Sequence, residues 1–320
     1  MAEIICLPVV GLKDNIKTLL AAVEYRMRDA LQPDASPLSQ GHMNARAAAL
    51  YHLNSGGRRV RASLALTAGL SLGLSKADLI GIASCVELLH NASLVHDDIQ
   101  DRDVVRRGQA AVWSKFGTNL AICTGDLLLS AAYGVLCTTS QPPALSAMLT
   151  LLHERTAAAI DGQCADLATL AGQSEGLAAY LLIATAKSGA LLSLPLELAL
   201  LAAGRADATS LARQASENLA VSYQIWDDLQ DLEADSPQGK GCVDQTQGLN
   251  IVRVLCNPNG LSSGLTQAEA MATAKALALE HLAFCDSQAS QLPNGSGAQL
   301  LVLSAELRGL LNAQAWLEIC

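Results

Sequence analysis

The sequence predicts an all-α protein. Alanine and leucine, both strong helix formers, dominate its 320 residues. Apolar residues recur at helical spacing along most of the chain, whereas alternating runs bounded by turn residues are hard to find. The mean hydropathy of +0.28 fits a buried helical core, an oligomer interface or an apolar cavity. Because no composition shift marks a linker, we predict one helical domain over residues 1–320, with its motif-bearing core at about 45–250.

The expected helices follow one another with breaks at glycine and proline. The first stops near Pro33 and Pro37, and the second ends at the Gly56-Gly57 pair. A Gly-rich polar loop is expected at 235–250. The predicted helical segments are 14–31, 45–53, 61–72, 76–95, a long helix within 113–137, 144–171, 177–203, 211–231, 267–285 and 297–316.

Composition and charge narrow the classes of function. The net charge of −9 argues against a general nucleic-acid binder, so a polyphosphate ligand would need basic residues placed locally. The nine cysteines form no CxxC pair, which predicts reduced core residues in a cytoplasmic protein. The N-terminus has no basic region and carries an early Pro8, so we expect no signal peptide. The charge-free stretch 127–152 contains Thr-Thr-Ser-Gln-Pro-Pro at its centre, which predicts a loop and not a membrane span.

One acidic pattern occurs twice, each time after a helical apolar stretch. It reads Asp-Asp-Ile-Gln-Asp at 97–101 and Asp-Asp-Leu-Gln-Asp at 227–231. Positions i and i+4 share a helix face, so Asp97 points with Asp101, and Asp227 with Asp231. Like charges repel at that spacing, and Mg²⁺ removes the repulsion while it joins carboxylates to substrate phosphates. Two such clusters facing one cavity would hold several Mg²⁺ ions around a polyphosphate.

Basic and polar groups accompany the acidic clusters. The segment GGRRVR at 56–61 combines glycines that allow close backbone approach with arginines that bind phosphate oxygens in a bidentate way. It is not a P-loop, because no Gly-Lys-Ser/Thr follows. The remaining groups are Arg106-Arg107-Gly108 beyond the first cluster, Lys187-Ser188-Gly189 in an apolar helix, Gln224 before the second cluster, and Lys240 in the following loop.

The chain resembles the trans-isoprenyl diphosphate synthases, also called the polyprenyl synthetase family. The matched pattern runs through GGRRVR, LVHDDIQD, RRG, GQCAD, AKSG, YQIWDDLQD and QGK, in the family's order and approximate spacing. One DDxxD motif alone is weak, but two of them with the basic set in order are a strong signal. The resemblance implies an isoprenoid-synthase-type helical bundle around a deep central cavity. It also implies a homodimeric, Mg²⁺-dependent prenyltransferase that condenses isopentenyl diphosphate with an allylic diphosphate.

The resemblance implies a role for each matched residue. The carboxylates expected to hold three Mg²⁺ ions with the allylic diphosphate are Asp97, Asp101 and Asp227, supported by Asp98, Asp166, Asp228 and Asp231. The residues expected to bind the diphosphate of isopentenyl diphosphate are Arg58, Arg61, His90 and Arg107. The residues expected to bind the allylic substrate are Arg106 and Lys240, and Gln163 matches the family's GQxxD helix. Lys187, Ser188 and Gln224 are expected to line the place where the carbocation forms.

Small residues before the first acidic cluster predict a long product. Ala92 and Ser93 lie where bulky aromatics block the cavity and give short products in the resembling family. Small residues leave the cavity open, so we predict a product longer than C15, with Leu89 among the residues that set the floor.

Three positions depart from the family pattern. Arg58 stands where Lys is usual, and Ala62 where Pro is common; both changes are minor. Leu249 stands where the family has a second loop Lys after a Gly. This third departure predicts an active enzyme with weaker clamping of the allylic diphosphate by the loop.

Other functions stay open at this point. A terpene cyclase on the same fold would ionise one allylic diphosphate and need no second diphosphate site, whereas this chain carries the arginine set for one. A non-catalytic partner subunit would be expected to have lost one acidic cluster, and this chain keeps both. A farnesyl or geranylgeranyl diphosphate synthase of short product length is the third alternative.

Overall fold

The computed structural model describes residues 9–32, 44–139, 142–170, 176–234, 249–257 and 264–313, and these ranges are mostly α-helical. The all-α prediction is therefore confirmed. The helices are α1 (Val9–Asp29), α2 (Ala45–Asn54), α3 (Val60–Ser71), α4 (Lys76–Gln100), α5 (Val112–Phe116), α6 (Thr118–Leu136), α7 (Pro142–Leu170), α8 (Leu177–Ala184), α9 (Ala190–Ala202), α10 (Thr209–Ala234), α11 (Ile251–Cys256), α12 (Gln267–Ser290) and α13 (Ala298–Ala313). A π-helix (Thr185–Gly189) joins α8 to α9, and short 3₁₀ turns (Ala206–Ala208 and Pro293–Gly295) precede α10 and α13.

Several helices begin at a polar side chain that accepts hydrogen bonds from the first backbone N–H groups. Such caps satisfy donors that have no partner inside the helix. The capping residues are Asn44 for α2, Ser75 for α4, Asn250 for α11 and Thr266 for α12. At α12 the Glu269 side chain also bonds back to the Thr266 backbone, which completes a capping box.

The structure differs from the predicted elements at a few places that bear on function. Helix α4 runs on to Gln100 and therefore includes Asp97 and Asp98. A β-hairpin follows it, in which β1 (Val105–Arg106) pairs antiparallel with β2 (Gln109–Ala110). The hairpin was not predicted, and its turn residues Arg107 and Gly108 both have positive φ, the conformation that tight hairpin turns need. Helix α11 was also not predicted, and the Gly-rich loop predicted at 235–250 lies outside the described residues except at 249 and 250.

The chain divides into two compact units. The first consists of Met1–Leu149 and Leu198–Gly204. In this unit α4 packs against α6, α3 and α1, and α2 packs against α6. It carries the first acidic cluster, the GGRRVR segment and the hairpin.

The second unit consists of Thr150–Glu197 and Arg205–Cys320. Here α10 packs against α12, α13 and the π-helix, while α11 packs against α12 and α8. It carries the second acidic cluster and the Lys187 segment. The single-domain prediction stays a prediction.

Some of the described helices are strongly apolar. Three helical stretches of the described residues, Lys76–Gln100, Thr118–Leu136 and Leu177–Ala202, are long and apolar enough to cross a membrane by length and composition alone.

The described cysteines are free thiols, and Cys85 and Cys285 are buried. The prediction of core cysteines is wrong for the three exposed ones, Cys123, Cys137 and Cys164, which lie on the outer faces of helices or just after one.

Candidate active site

The first acidic cluster lies at the end of α4 and presents its carboxylates in two directions. Asp97 is half-buried, and Asp101, the residue that ends the helix, is exposed. The Asp101 backbone N–H donates to the Asp97 carbonyl oxygen at 2.8 Å, so the two residues stay one helical turn apart. Asp98 points the other way and is fully buried. The exposed pair therefore suits a hydrated cation, whereas Asp98 belongs to the interior.

Asp98 is bound by the hairpin. The Arg106 Nε and Nη2 atoms donate to Asp98 Oδ1 at 2.7 and 2.5 Å, and Nη2 also reaches Asp103 Oδ2 at 3.1 Å. Burial raises the pKa of Asp98, while the bond from Arg106 acts in the opposite direction. This ion pair fixes the hairpin to the end of α4. The roles predicted for Asp98 at the metal and for Arg106 at the allylic diphosphate stay predictions, and here the two side chains bind each other.

Arg107 ties the hairpin to the GGRRVR segment. Its Nη1 donates to the Gly56 carbonyl oxygen, and its guanidinium lies directly over Gly57. A Cβ at position 57 would lie 2.9 Å from the Arg107 Cζ and would displace the guanidinium. Gly57 also has a φ of +136°, and this backbone conformation favours glycine. Burial lowers the pKa of Arg107, and the nearby Arg59 adds to this effect. The structure thus joins two basic motifs that are 50 residues apart in the chain.

A buried ion-pair network supports this segment, and its partners were not predicted. Arg59 begins α3 with a left-handed backbone, φ +49°, and is only 7% exposed. Its Nε donates to Glu24 Oε1 at 2.5 Å, and its Nη1 lies 3.6 Å from Glu87 Oε2. Glu87, 2% exposed, also accepts the Ala62 backbone N–H at 3.0 Å. Arg59 therefore turns inward, while its neighbour Arg58 is exposed.

Two imidazoles lie among these arginines. Burial lowers the pKa of His90 well below its usual value, and the positive charges of Arg61 and Arg107 lower it further. His52, which belongs to none of the motifs, is also buried, and its pKa falls to about 4 because of burial and, next, the positive charge of Arg107. Both rings are therefore neutral at pH 7. The positive charges of Arg61 and Arg107 thus both act on His90, and the predicted role of these three residues at a diphosphate stays a prediction.

The residues expected to set product length lie on the same helix. Ala92 and Leu89 are buried, and the half-buried Ser93 donates its hydroxyl to the His90 carbonyl oxygen at 2.9 Å. One turn further on, the His96 ring lies against Gly125 of α6, where a Cβ would collide with it. Small side chains thus occur on α4 as predicted, and α6 approaches closely at the level of the acidic cluster.

The π-helix of the second unit carries Lys187 and Ser188. Such bulges often mark functional positions, because they shift the register of the side chains that follow. Lys187 Nζ donates to Asp166 Oδ2 of α7 at 2.5 Å. Gly162, one turn before Asp166, makes room for this segment: a Cβ there would collide with the Lys187 backbone nitrogen. Gln163 is buried beside it. The predicted metal role of Asp166 stays a prediction, and here its carboxylate holds Lys187.

The second acidic cluster repeats the arrangement of the first. Asp227 and Asp231 are exposed on α10, and burial together with Asp231 raises the pKa of Asp227. Asp228 is 3% exposed, and burial raises its pKa to about 6. Its Oδ1 accepts from Gln224 Nε2 at 2.9 Å. The predicted Lys240 lies outside the described residues, whereas Leu249 is half-buried just before α11.

The fit of these carboxylates to a metal ion can be judged from their donor atoms. Within the part of the chain that the structure describes, no group of three or more His, Cys, Asp or Glu side chains could hold a metal ion by itself. Asp97 with Asp101, and Asp227 with Asp231, are pairs of accessible oxygen donors. Mg²⁺ is commonly bound through one or two carboxylates with water and substrate phosphates, so the residues fit Mg²⁺ that arrives with a polyphosphate.

The chain belongs to the polyprenyl synthetase family, whose model matches residues 43–256. It is 33% identical over 225 residues to the (2E,6E)-farnesyl diphosphate synthase of Mycobacterium tuberculosis, a match that covers 70% of this chain and 62% of that protein. It is also 33% identical over 230 residues to the geranylgeranyl diphosphate synthase of the same organism, covering 69% and 64%. The matches thus span less than two thirds of these relatives' length.

The fold is shared with solved structures. The polyprenyl synthase from Caulobacter crescentus, complexed with calcium and isoprenyl diphosphate, has 21% sequence identity and a TM-score of 0.75, covering 94% of this chain and 98% of that one. This similarity shows that the protein has the helical-bundle fold of the isoprenoid synthases, as predicted.

Proposed function

We propose that this protein is a Mg²⁺-dependent prenyltransferase that joins isopentenyl diphosphate to an allylic diphosphate head to tail (1'-4), giving an all-trans product longer than C15. Membership of the polyprenyl synthetase family supports the class of reaction. The observation that carries the proposal is the hairpin of the first unit. Its Arg106 binds Asp98, which lies between the accessible carboxylates of the first acidic cluster. Its Arg107 lies against the GGRRVR segment and acts on the neutral His90.

The residues divide the chemistry between them. Asp97, Asp101, Asp227 and Asp231 would hold Mg²⁺, which would neutralise the diphosphate that leaves when the allylic C–O bond ionises. Arg61, Arg107 and His90 bind and orient the second diphosphate, that of isopentenyl diphosphate, through charge-assisted hydrogen bonds. Lys187, Ser188 and Gln224 line the place where the carbocation forms. No side chain is assigned to proton removal, since the released diphosphate serves as the base.

Activity is tested with the purified full chain, Mg²⁺, farnesyl diphosphate and radiolabelled isopentenyl diphosphate. We expect chain elongation that requires Mg²⁺, and an Asp97→Asn variant should lose about 100-fold or more in kcat/KM. Asp207→Asn is the matched control, because Asp207 forms an exposed surface pair with Arg205 and should leave activity unchanged. Release of a cyclic hydrocarbon without isopentenyl diphosphate would indicate a cyclase, and absence of turnover by the isolated chain would indicate a partner subunit.

Product length needs its own test. The two mycobacterial relatives are equally identical to this chain and carry different product names, so similarity does not decide the length. We rely instead on the small side chains of Ala92 and Ser93. The Leu89→Ala variant should give longer products than the wild type, and Ala92→Phe shorter ones. If no product exceeds C15 from a farnesyl primer, the prediction of a long chain is wrong.

The quaternary state and location belong to the same proposal. We propose a homodimer, as the family resemblance implies, and place its interface at α6, whose outer face exposes Ile122 and Cys123. We expect a dimer in sedimentation velocity and a shift toward monomer in Ile122→Asp.

We also propose a cytoplasmic protein that is not integral to a membrane. Recovery of the protein in the membrane pellet after a carbonate wash would contradict this.

A further inference from the structure

Asp228 is a buried carboxylate, and other groups of the protein bind both of its oxygens. Its Oδ2 accepts from the Tyr180 hydroxyl and from the Ile251 backbone N–H, each at 2.8 Å. Its Oδ1 accepts from Gln224 Nε2 at 2.9 Å. Its backbone carbonyl accepts from Asn250 Nδ2 at 2.9 Å. One buried residue therefore connects three separate parts of the second unit.

The partners come from different segments. Tyr180 lies on α8, just before the π-helix, and is 1% exposed. Asn250 caps α11, and Ile251 is the first residue of that helix. Asp227 and Asp231, by contrast, are exposed. The direction in which each carboxylate points separates Asp228 from its two neighbours.

We propose that Asp228 and Tyr180 form a positioning pair, which orients Gln224 and fixes the start of α11, and that Asp228 is not a metal ligand. The proposal rests on the proposed function only for its effect on catalysis. Tyr180 is part of it because its hydroxyl and the Ile251 N–H occupy the same carboxylate oxygen, which holds that oxygen away from solvent.

The orientation of Gln224 has a chemical consequence. A side-chain amide has a donor end and an acceptor end. Asp228 binds the NH₂ end, so the carbonyl oxygen is the end left to face the reaction. An oxygen dipole stabilises a carbocation, whereas an NH₂ group would repel it. Asp228 therefore acts on the reaction through Gln224, by choosing which end of the amide faces the cation.

The first arm of the test is kinetic. Asp228→Asn replaces one acceptor oxygen by a donor, so it should lower kcat about 10- to 100-fold, and Tyr180→Phe, which removes only one hydroxyl, about 3- to 10-fold. In both variants the Mg²⁺ concentration for half-maximal rate should stay within about twofold of wild type. Asp227→Asn is the matched control and should raise that concentration about 10-fold or more. In a Gln224→Leu background, Asp228→Asn should lower kcat little further, because the residue through which it acts is gone.

The second arm needs no activity. Amide hydrogen exchange at 249–257 should become about 10-fold faster or more in Asp228→Asn, and less so in Tyr180→Phe, while α13 stays unchanged. A rise in the Mg²⁺ requirement of Asp228→Asn equal to that of Asp227→Asn would overturn the proposal, as would unchanged exchange at 249–257. If the wild type does not condense the two substrates at all, the proposed function fails, and the exchange experiment still decides whether the pair positions α11.

Discussion

Arg59 offers the sharpest test of what holds the basic segment in place. An Arg59→Met variant replaces the arginine by an apolar side chain of similar length. The buried Glu87 carboxylate then loses the positive charge of its partner. Removing one partner of a buried ion pair typically costs about 3–5 kcal/mol, because the remaining charge stays desolvated. We expect the lower part of that range, about 3 kcal/mol, since Glu87 retains the hydrogen bond from the Ala62 N–H, and Glu24, the other partner, is partly exposed.

The assay is urea unfolding at pH 7, followed by circular dichroism. A double variant, Arg59→Met with Glu87→Gln, removes the stranded charge while the amide oxygen can still accept from Ala62, so it should regain most of the lost stability. Arg58→Met is the matched control: this neighbour is exposed, and we expect its free energy of unfolding to change by about 0.5 kcal/mol or less. A loss below about 1 kcal/mol in Arg59→Met, or a double variant no more stable than the single one, would refute the assignment of Arg59 and Glu87 as a buried pair.

Three further predictions concern close contacts and charge. Gly125→Ala should lower stability by about 1–3 kcal/mol in thermal unfolding because its Cβ meets the His96 ring, whereas Gly134→Ala on the same helix, with open space around it, should not destabilise. Gly162→Ala should lower both stability and the prenyltransferase rate, since its Cβ meets the backbone of the π-helix; an unchanged melting temperature would contradict this contact. The pKa of His52 is lowered to about 4 in the folded protein, so the unfolded chain binds more protons than the folded one between about pH 4 and 6.5. The neutral His52 therefore contributes stability at pH 7 that is lost on acidification through this range. The contribution of His52 to this loss should reach about 2 kcal/mol at pH 5, and unfolding curves of His52→Gln should show a correspondingly smaller pH dependence.

The sequence identified the exposed half of each acidic cluster because helical periodicity alone determines it. Asp97 and Asp101, one turn apart, lie on the same face wherever α4 is helical. The same periodicity contained a second signal that was not used. Asp98 follows Leu88, Asn91 and Val95 at spacings of three and four, and all three are buried, so the stripe that reaches Asp98 leads into the core.

The partners of the buried groups could not be predicted from local pattern. Arg106 reaches Asp98 because a hairpin that the sequence did not reveal turns the chain back, and its positive-φ turn depends on Gly108. Tyr180 lies within the predicted apolar helix 177–203. Its hydroxyl finds its hydrogen-bond acceptor in Asp228, 48 residues later. Asp98 and Arg106 are only eight residues apart, but helical periodicity does not extend across the hairpin between them. For Tyr180, nothing in the spacing of charged residues distinguishes a tyrosine that packs from one that donates.

Each acidic cluster thus combines accessible carboxylates with one buried carboxylate. The two clusters differ in the groups that donate hydrogen bonds to the buried one. Asp98 is met by a guanidinium, whose positive charge offsets part of the cost of burying an anion. Among the residues that the structure describes, the donors to the Asp228 carboxylate are neutral: a phenol, a peptide N–H and an amide. Its pKa rises to about 6 because burial outweighs them. In a network of neutral hydrogen bonds, the geometry of the bonds matters more than attraction between charges. This suits the proposed role of Gln224, whose amide dipole has to point in one direction. The second cluster therefore orients its partners, whereas the first holds a charged hairpin against the helix that carries the accessible carboxylates Asp97 and Asp101.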